Sequence, residues 1–501
     1  VTIEVRAGSL LADGPGTTRL QADWLSGKGG VSPSAAAEIR RALEAPSGST
    51  CPLFRAGVIP SGQGAPAPRT VVTGQQPGFL GGPLYTLFKI ATAVALAARL
   101  SRGGVRAVPV FWSGDDDSDL NEALSSLGWD PAERRLFASE GVALARSPRF
   151  RNRTVGSLES RSFSAGAARW LHQRAGAGGD PLVADLAALW ARAVAEDWPW
   201  SRLAAAAWSA CFAGTDLLVV SGDDPALHAA GQDVVARWRT LDDAGEPVRA
   251  RGQELTAEGY HAQLDERSLR HPWYVVENGR RRILDPGATG PVEGRVRPGV
   301  LFRSPLQDLL LEPAAVVVGP GEHAYLRQLE PLYRRLGVPR APLVPRLGGW
   351  LLPEQAAYGQ LERWLAAAAG REAACAEWTD AWVRRNASEL AGFLTGTLGV
   401  DAPRAKSLAE GRTRRWRRGL AAMLAAEDRR RIRDDHAGAP PWVLPHGLRQ
   451  ERKLASIAAV GLFGSPLLEA VRNAAEQHLD RGLAGEWREF HFGVPEPAKD
   501  G

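Results

Sequence analysis

At 501 residues, with 44% apolar and 23% charged side chains, 55 glycines and 35 prolines, the chain has an ordinary globular composition with room for about three domains, which excludes collagen-like, mostly disordered and small disulfide-stapled classes. A net charge of +5 is too small for a strong nucleic-acid field, so nucleic acid is not an expected partner. Cys51, Cys211 and Cys375 are odd in number and far apart, which fits reduced thiols rather than a disulfide frame, and no histidine pair has zinc-site spacing, so no metal ligands are expected.

Val1 to Ala12 carries Glu4 and Arg6 and lacks an apolar core, so no secretory leader is expected. The apolar stretch Pro83 to Leu100 is interrupted by Lys89 and Thr92 and is short for a span. A cytoplasmic protein without membrane association is expected. Residues 1–69 read as an irregular lead-in with one amphipathic piece, Ser34 to Leu43. Thr70 to Thr73 then predicts a strand, Gly74 to Gly82 a glycine-rich turn, Leu84 to Leu100 a helix and Ala107 to Trp112 a second strand, together a βαβ unit. An acidic loop, Asp115-Asp116-Asp117-Ser118-Asp119, follows.

Residues 164–212 predict Ala- and Trp-rich helices broken at Gly176 to Pro181, and Asp216 to Val220 a buried strand. Gly259 to Ile283 alternates like a small antiparallel piece turning at Glu277 to Gly279, and Val300 to Phe302 and Ala315 to Val318 predict further strands. A helix is expected over His323 to Leu336, and Pro353 to His436 predicts a helical hairpin or coiled coil with Leu408, Trp416, Leu420, Met423 and Leu424 as its apolar stripe. The division is 70–150, 213–240 and 299–352 for the core, 151–212 and 241–298 for insertions, and 353–501 for a C-terminal helical domain. Strands that repeatedly end in polar or Gly-rich loops predict an α/β, doubly wound parallel sheet with a ligand crevice at those ends.

Three loops carry candidate chemistry. Thr73, Gly74, Gln75, Gln76 and Tyr85 lie in a turn that can cradle an anion or simply be tight. Asp115, Asp116, Asp117 and Asp119 can hold an amine, a sugar hydroxyl or Mg²⁺, or serve as helix caps or a solvated loop. Arg303, Gln307, Asp308, Gly321, Glu322, Tyr325 and Arg346 can bind a carboxylate, an amine and hydroxyls, or form structural Arg–Asp pairs. Arg412 to Arg418 around Trp416 reads as a solvated helix face rather than an RNA contact.

The segments TGQQPGFLGGPLYTLFK (Thr73 to Lys89), PVFW (Pro109 to Trp112), GYHAQL (Gly259 to Leu264), RSPLQD (Arg303 to Asp308), GPGEHAYLRQLEPLY (Gly319 to Tyr333), VPRL (Val344 to Leu347) and LPHGLRQER (Leu444 to Arg452) occur in one order. Together they resemble the bacillithiol biosynthesis cysteine-adding family, the cysteine ligases. The resemblance implies a Rossmann-like core with connecting-peptide insertions, similar in plan to class I aminoacyl-tRNA synthetases, and a C-terminal coiled coil supporting a homodimer. It implies amide formation between the cysteine carboxylate and the amine of glucosaminyl-malate or a related amino sugar; ATP with Mg²⁺ is expected for activation, because an acyl phosphate or adenylate is the chemically ordinary route to such an amide. Asp117, Asp119, Ser118 and Gln76 would be catalytic. Ser118 stands where the family usually has His, which leaves two alternatives: a diverged ligase with another amine or amino acid, and a non-catalytic scaffold that kept the fold.

Overall fold

The computed structural model describes residues 3–8, 38, 39, 42, 68–260, 262–285, 292–354, 356, 358–431, 439–483 and 489–497. Its strands in chain order are β1 (Glu4–Gly8), β2 (Arg69–Gln75), β3 (Ala107–Ser113), β4 (Gly128–Asp130), β5 (Arg135–Phe137), β6 (Leu218–Ser221), β7 (Trp273–Glu277), β8 (Arg280–Ile283), β9 (Arg295–Pro298), β10 (Pro313–Val318), β11 (Leu343–Pro345), β12 (Gly348–Pro353) and β13 (Glu489–Val494). The chain divides into two compact units after Glu354 and again after Gln450.

The core of the first unit is a five-stranded sheet, β11-β10-β2-β3-β6, parallel throughout. Val71, Val72, Val110, Val317 and Val318 are fully buried in it, as expected for strands covered on both faces. β2 and β3 are joined by α1 (Leu84–Arg102), the βαβ unit that the sequence predicts. Leu84, Leu87, Phe88, Ile90, Ala91 and Ala93 are inaccessible, so this helix is apolar on nearly every side because protein surrounds it. By length and composition it could cross a membrane, yet 72% of its apolar window is buried within the protein. Burying each Leu or Phe here contributes roughly 1.5–3 kcal/mol.

After β3 comes the short α2 (Leu120–Ala123), then the Ala- and Trp-rich helices α3 (Ala165–Gly178), α4 (Pro181–Ala195) and α5 (Trp200–Cys211). Asp180 caps α4 by accepting from the Leu182 and Val183 amides at 3.0 and 3.2 Å. α6 (Pro225–Arg239) follows β6 and is capped by Asp224. The antiparallel piece is smaller than expected: residues 266–270 are helical, and the sheet β8-β7-β9 begins only at Trp273 and takes a third strand from 295–298.

Val300 to Phe302 is not a strand. It opens α7 (Val300–Leu311), because Leu301, Phe302, Leu306, Leu310 and Leu311 recur at helical spacing and are all buried. Three apolar residues alone do not separate the two periods. β10 then leads into α8 (Pro320–Leu336), three residues earlier than expected, with Glu322 in its first turn accepting from the Gly319 amide.

The second unit holds α9 (Tyr358–Gly396) and α10 (Ala402–Arg431), a helical hairpin tied by Asp380 and Arg417 at 2.6 Å and by the Trp382 and Trp416 rings. Of the expected apolar stripe, Leu408 and Met423 are exposed, as is Trp416 even though its ring meets Trp382. Ala405, Ala409 and Thr413, spaced four apart, are buried instead. The Leu420, Leu424, Arg414, Arg415, Arg418 and Cys375 side chains lie outside the described residues, as does Cys51.

The expected C-terminal domain, 353–501, ends sooner. From Glu451 the chain belongs to the first unit, where α11 (Ser456–Gly482) packs along α1. β13 takes the centre of a further sheet, antiparallel to β1 and parallel to β12. The lead-in therefore contributes an edge strand. Of its amphipathic piece, only Glu38, Ile39 and Ala42 are described, and they are helical.

Two polar anchors hold this unit. Arg346, just after β11, forms a bidentate pair with Glu451, both bonds 2.9 Å and both residues buried. Arg346→Met is expected to cost about 3–5 kcal/mol in urea unfolding, because it leaves a buried carboxylate without its guanidinium, and Arg346→Met combined with Glu451→Met should recover much of that loss. Asp115 braces β3 against β6 by accepting from Ser221 Oγ at 2.6 Å and the Asp223 amide at 3.0 Å, and burial pushes its carboxyl up to about 7. With the folded value above the unfolded one of about 3.9, this group's contribution is full below pH 4 and is lost as pH rises through about 7. Asp115→Asn should therefore lose less stability than the parent between pH 5 and pH 8, as read from urea midpoints.

Candidate functional site

A cavity of about 320 Å³ opens at the C-terminal ends of the parallel strands, walled by residues from β2, α1, the acidic loop, α7 and α8. Its central feature is Lys89, one turn into α1 and only 4% exposed. Its Nζ donates to the Gly74 carbonyl at 2.8 Å and to Gln75 Oε1 at 3.2 Å, and it pairs with Glu322 Oε2 at 2.6 Å. All three ammonium hydrogens thus have acceptors, and the end of β2 is fastened to the first turn of α8. Glu322 also caps the Gly319 amide at 3.2 Å. Tyr85 lies beside this cluster, with Lys89 Nζ 5.7 Å and the Arg346 guanidinium 5.5 Å from its ring centre.

The glycine-rich turn divides in two. Gly74, Gln75 and Gln76 face the cavity. Gly81 and Gly82 instead take φ values of +82° and +77°, and a Cβ on Gly81 would lie 2.7 Å from Ile457 Cγ1. These glycines serve a close approach to α11, so the expected anion cradle is confined to the first three residues. Gln75 Nε2 donates to Glu122 Oε1 at 3.0 Å, while the buried Gln76 amide has no protein partner. Thr73 is away from the cavity and donates its hydroxyl to the Val317 carbonyl at 2.8 Å, binding β2 to β10.

Of the acidic loop, only Asp117 reaches the cavity. Burial raises its proton affinity, but the Arg281 and Arg303 guanidiniums outweigh this and hold the carboxyl below the usual carboxylate range. Asp116 is buried against Arg297 at 3.3 Å. Asp119 is exposed and caps α2, accepting from the Glu122 amide at 3.1 Å. Ser118 is half-buried, and its amide donates to Asp117 Oδ1 at 2.7 Å. Asp116, Ser118 and Asp119 thus shape the loop from outside the cavity wall.

Arg303, Gln307, Asp308, Gly321, Glu322, Tyr325 and Arg346 all line the cavity. Two of them are committed to the framework. Asp308 accepts from Tyr333 Oη and the Ala341 amide, each at 3.1 Å, with burial pushing it up to about 6, and Arg346 is the Glu451 partner. Sequence reasoning missed Lys89, Glu122 and Arg452 on the wall and Arg281 behind it. Lys89 had a signal, as the only charged residue between Leu84 and Ala98 of an apolar helix: a buried lysine requires partners. Burial, then Asp119 and Asp117, raise the proton affinity of Glu122. The wall therefore offers a guanidinium, a lowered carboxylate and a raised carboxylate, a set suited to a zwitterion and an amine.

Residues 65–290 match the family described as "Bacillithiol biosynthesis BshC, N-terminal Rossmann-like domain". The "Putative cysteine ligase BshC" of Prosthecochloris aestuarii is 28% identical over 317 residues, covering 56% of this chain and 53% of that protein. The protein of the same name in Symbiobacterium thermophilum is 30% identical over 323 residues, 57% of this chain and 56% of its own. That in Shouchella clausii is 25% identical over 463 residues, covering 81% and 82%. The chain spans about half the length of the first curated relatives it matches. Among solved structures, the arginyl-tRNA synthetase of Thermus thermophilus aligns with 90% of this chain and 86% of its own at 12% identity and a TM-score of 0.23, too remote to carry a structural argument. Residues 65–290 thus match the N-terminal Rossmann-like domain of the bacillithiol biosynthesis BshC family, and the chain is similar to relatives that carry that name.

Proposed function

We propose that this cavity joins cysteine, through its carboxylate, to the amine of glucosaminyl-malate or a related amino sugar. The observation that carries this reading is the meeting of Arg303, Asp117, Glu122 and Glu322 in one cavity; the names of the relatives support the reaction class. Arg303 receives the carboxylate and Asp117 the ammonium of the amino acid. The second amine must lose a proton before its nitrogen attacks the carboxyl carbon, and Glu122, whose proton affinity burial raises, is the better base for it. One carboxyl oxygen leaves as the C–N bond forms. Asp119, as a helix cap, has no part in this scheme.

Expulsion of that oxygen requires activation, which ATP with Mg²⁺ would supply as co-substrate. Arg303 and the exposed Arg452 are the wall cations that would hold its phosphates. Magnesium would arrive on those phosphates, since among the described residues no group of three His, Cys, Asp or Glu side chains is arranged for a metal ion. A homodimer through the α9–α10 hairpin, on which Trp378, Phe393 and Leu398 are exposed, and a cytoplasmic location belong to the same proposal. Ser118, standing beside Asp117 where the family usually has His, favours one second reading: a diverged ligase with another amine or amino acid.

Incubation of the full chain with cysteine, glucosaminyl-malate and Mg-ATP is expected to give the amide, detected by mass, together with nucleotide cleavage. Arg303→Met should lower the rate about 100-fold, the scale for removing one preorganised charge donor. Absence of product from both the parent and Ser118→His would refute this substrate pair, and turnover with another amine would establish the diverged ligase.

A further inference from the structure

We propose that Arg281, which lies outside the cavity wall, is a positioning residue of the site: it fixes Asp117 so that one carboxylate oxygen faces the cavity as the acceptor for a substrate ammonium. This rests on the amino-acid reading above. The two Asp117 oxygens have different surroundings. Oδ1 accepts from Arg281 Nη1 at 2.8 Å and from the Ser118 amide at 2.7 Å. Oδ2 is approached by Arg303 at 3.5 Å, beyond ordinary hydrogen-bond length. A carboxylate held by two donors on one oxygen cannot rotate without losing both, so the second oxygen has a fixed direction.

Arg281 is itself restrained. It is 11% exposed, and its guanidinium stacks on Tyr274 with 3.7 Å to the ring centre. Its backbone amide donates to the Asn152 carbonyl at 2.7 Å. At the same hairpin tip the Gly279 carbonyl accepts from the Thr154 amide at 2.9 Å, and the Val155 amide donates to the Asp117 carbonyl at 2.7 Å. The small sheet and the acidic loop thus meet on one backbone segment. Arg303, by contrast, is the cation a bound zwitterion can take over: its carboxylate would draw Arg303 away as its ammonium replaces that guanidinium at Oδ2. Arg281 stays behind as the charge that keeps Asp117 ionised.

The groups facing Asp117 are Arg281 from β8, Arg303 from α7, Glu122 from α2, and Asp116 and Asp119 on its own loop; the 155–157 turn brings no titratable side chain. Without Arg281 the acids and burial act against Arg303 alone. Asp117 then protonates at higher pH, and ammonium binding is lost as pH falls. Calorimetric titration of the full chain with cysteine at pH 5.5 and pH 7.5 tests this. The parent should bind with affinities within about threefold of each other. Arg281→Met, with its fold checked by circular dichroism, should bind at least tenfold more weakly at pH 5.5 than at pH 7.5; Arg281→Gln takes its place should that variant not fold. Arg281→Lys, which keeps the charge, should restore the parent's pH profile. A folded Arg281→Met or Arg281→Gln within twofold of the parent at both pH values, or a lysine variant no better than methionine, overturns the inference. A parent that binds no cysteine overturns the amino-acid reading instead.

Discussion

The Lys89 ammonium sits in the interior of the first unit with three oxygen acceptors around it, two from the end of β2 and one from the first turn of α8. An ammonium deprived of water is tolerated only with such partners, and here they belong to segments more than 200 residues apart in sequence. The cavity wall takes its shape from that arrangement. Glu322 reaches from Lys89 to cap the Gly319 amide of α8, and Gln75 is turned toward Glu122. Around it, Arg346 with Glu451, Arg297 with Asp116, and Arg295 with Asp223 repeat the pattern of a buried or half-buried guanidinium paired with a carboxylate from elsewhere in the chain. The charges near the strand ends are thus locally compensated.

What the sequence reveals of this follows from how local each signal is. The strands β2, β3, β6 and β10, and the helix between β2 and β3, are short-range patterns of apolar residues closed by glycine, and they emerge in place. Some of the candidate residues at the strand ends also meet at one cavity, since parallel strands align their C-terminal ends, whereas Thr73, Asp116, Ser118 and Asp119 stand outside it. The partners do not emerge. Arg281, Arg295 and Arg297 arrive from a small sheet far along the chain, and nothing local ties an arginine in an alternating stretch to a particular aspartate. The same limit explains Asp119: capping and ligand binding draw on the same side chain, and only the position of α2 decides between them.

Two further departures concern packing. In α7, three apolar residues satisfy strand and helix periods equally, and the fully buried Leu310 and Leu311 a helix away settle the matter. In α10, the described large apolar residues Leu408, Trp416 and Met423 stand exposed while the small Ala405, Ala409 and Thr413 are buried, so hydrophobicity alone does not mark the buried face.

The sheet β1-β13-β12 carries a kinetic consequence. Among the described residues, β1 pairs with β13 alone, Glu4 lying opposite Gly493. A strand with such a distant neighbour cannot be paired until all the residues between the two have been made, and it carries unmatched edge groups meanwhile. Closure of this sheet is therefore a late folding event, because the contact bridges so long a separation in sequence.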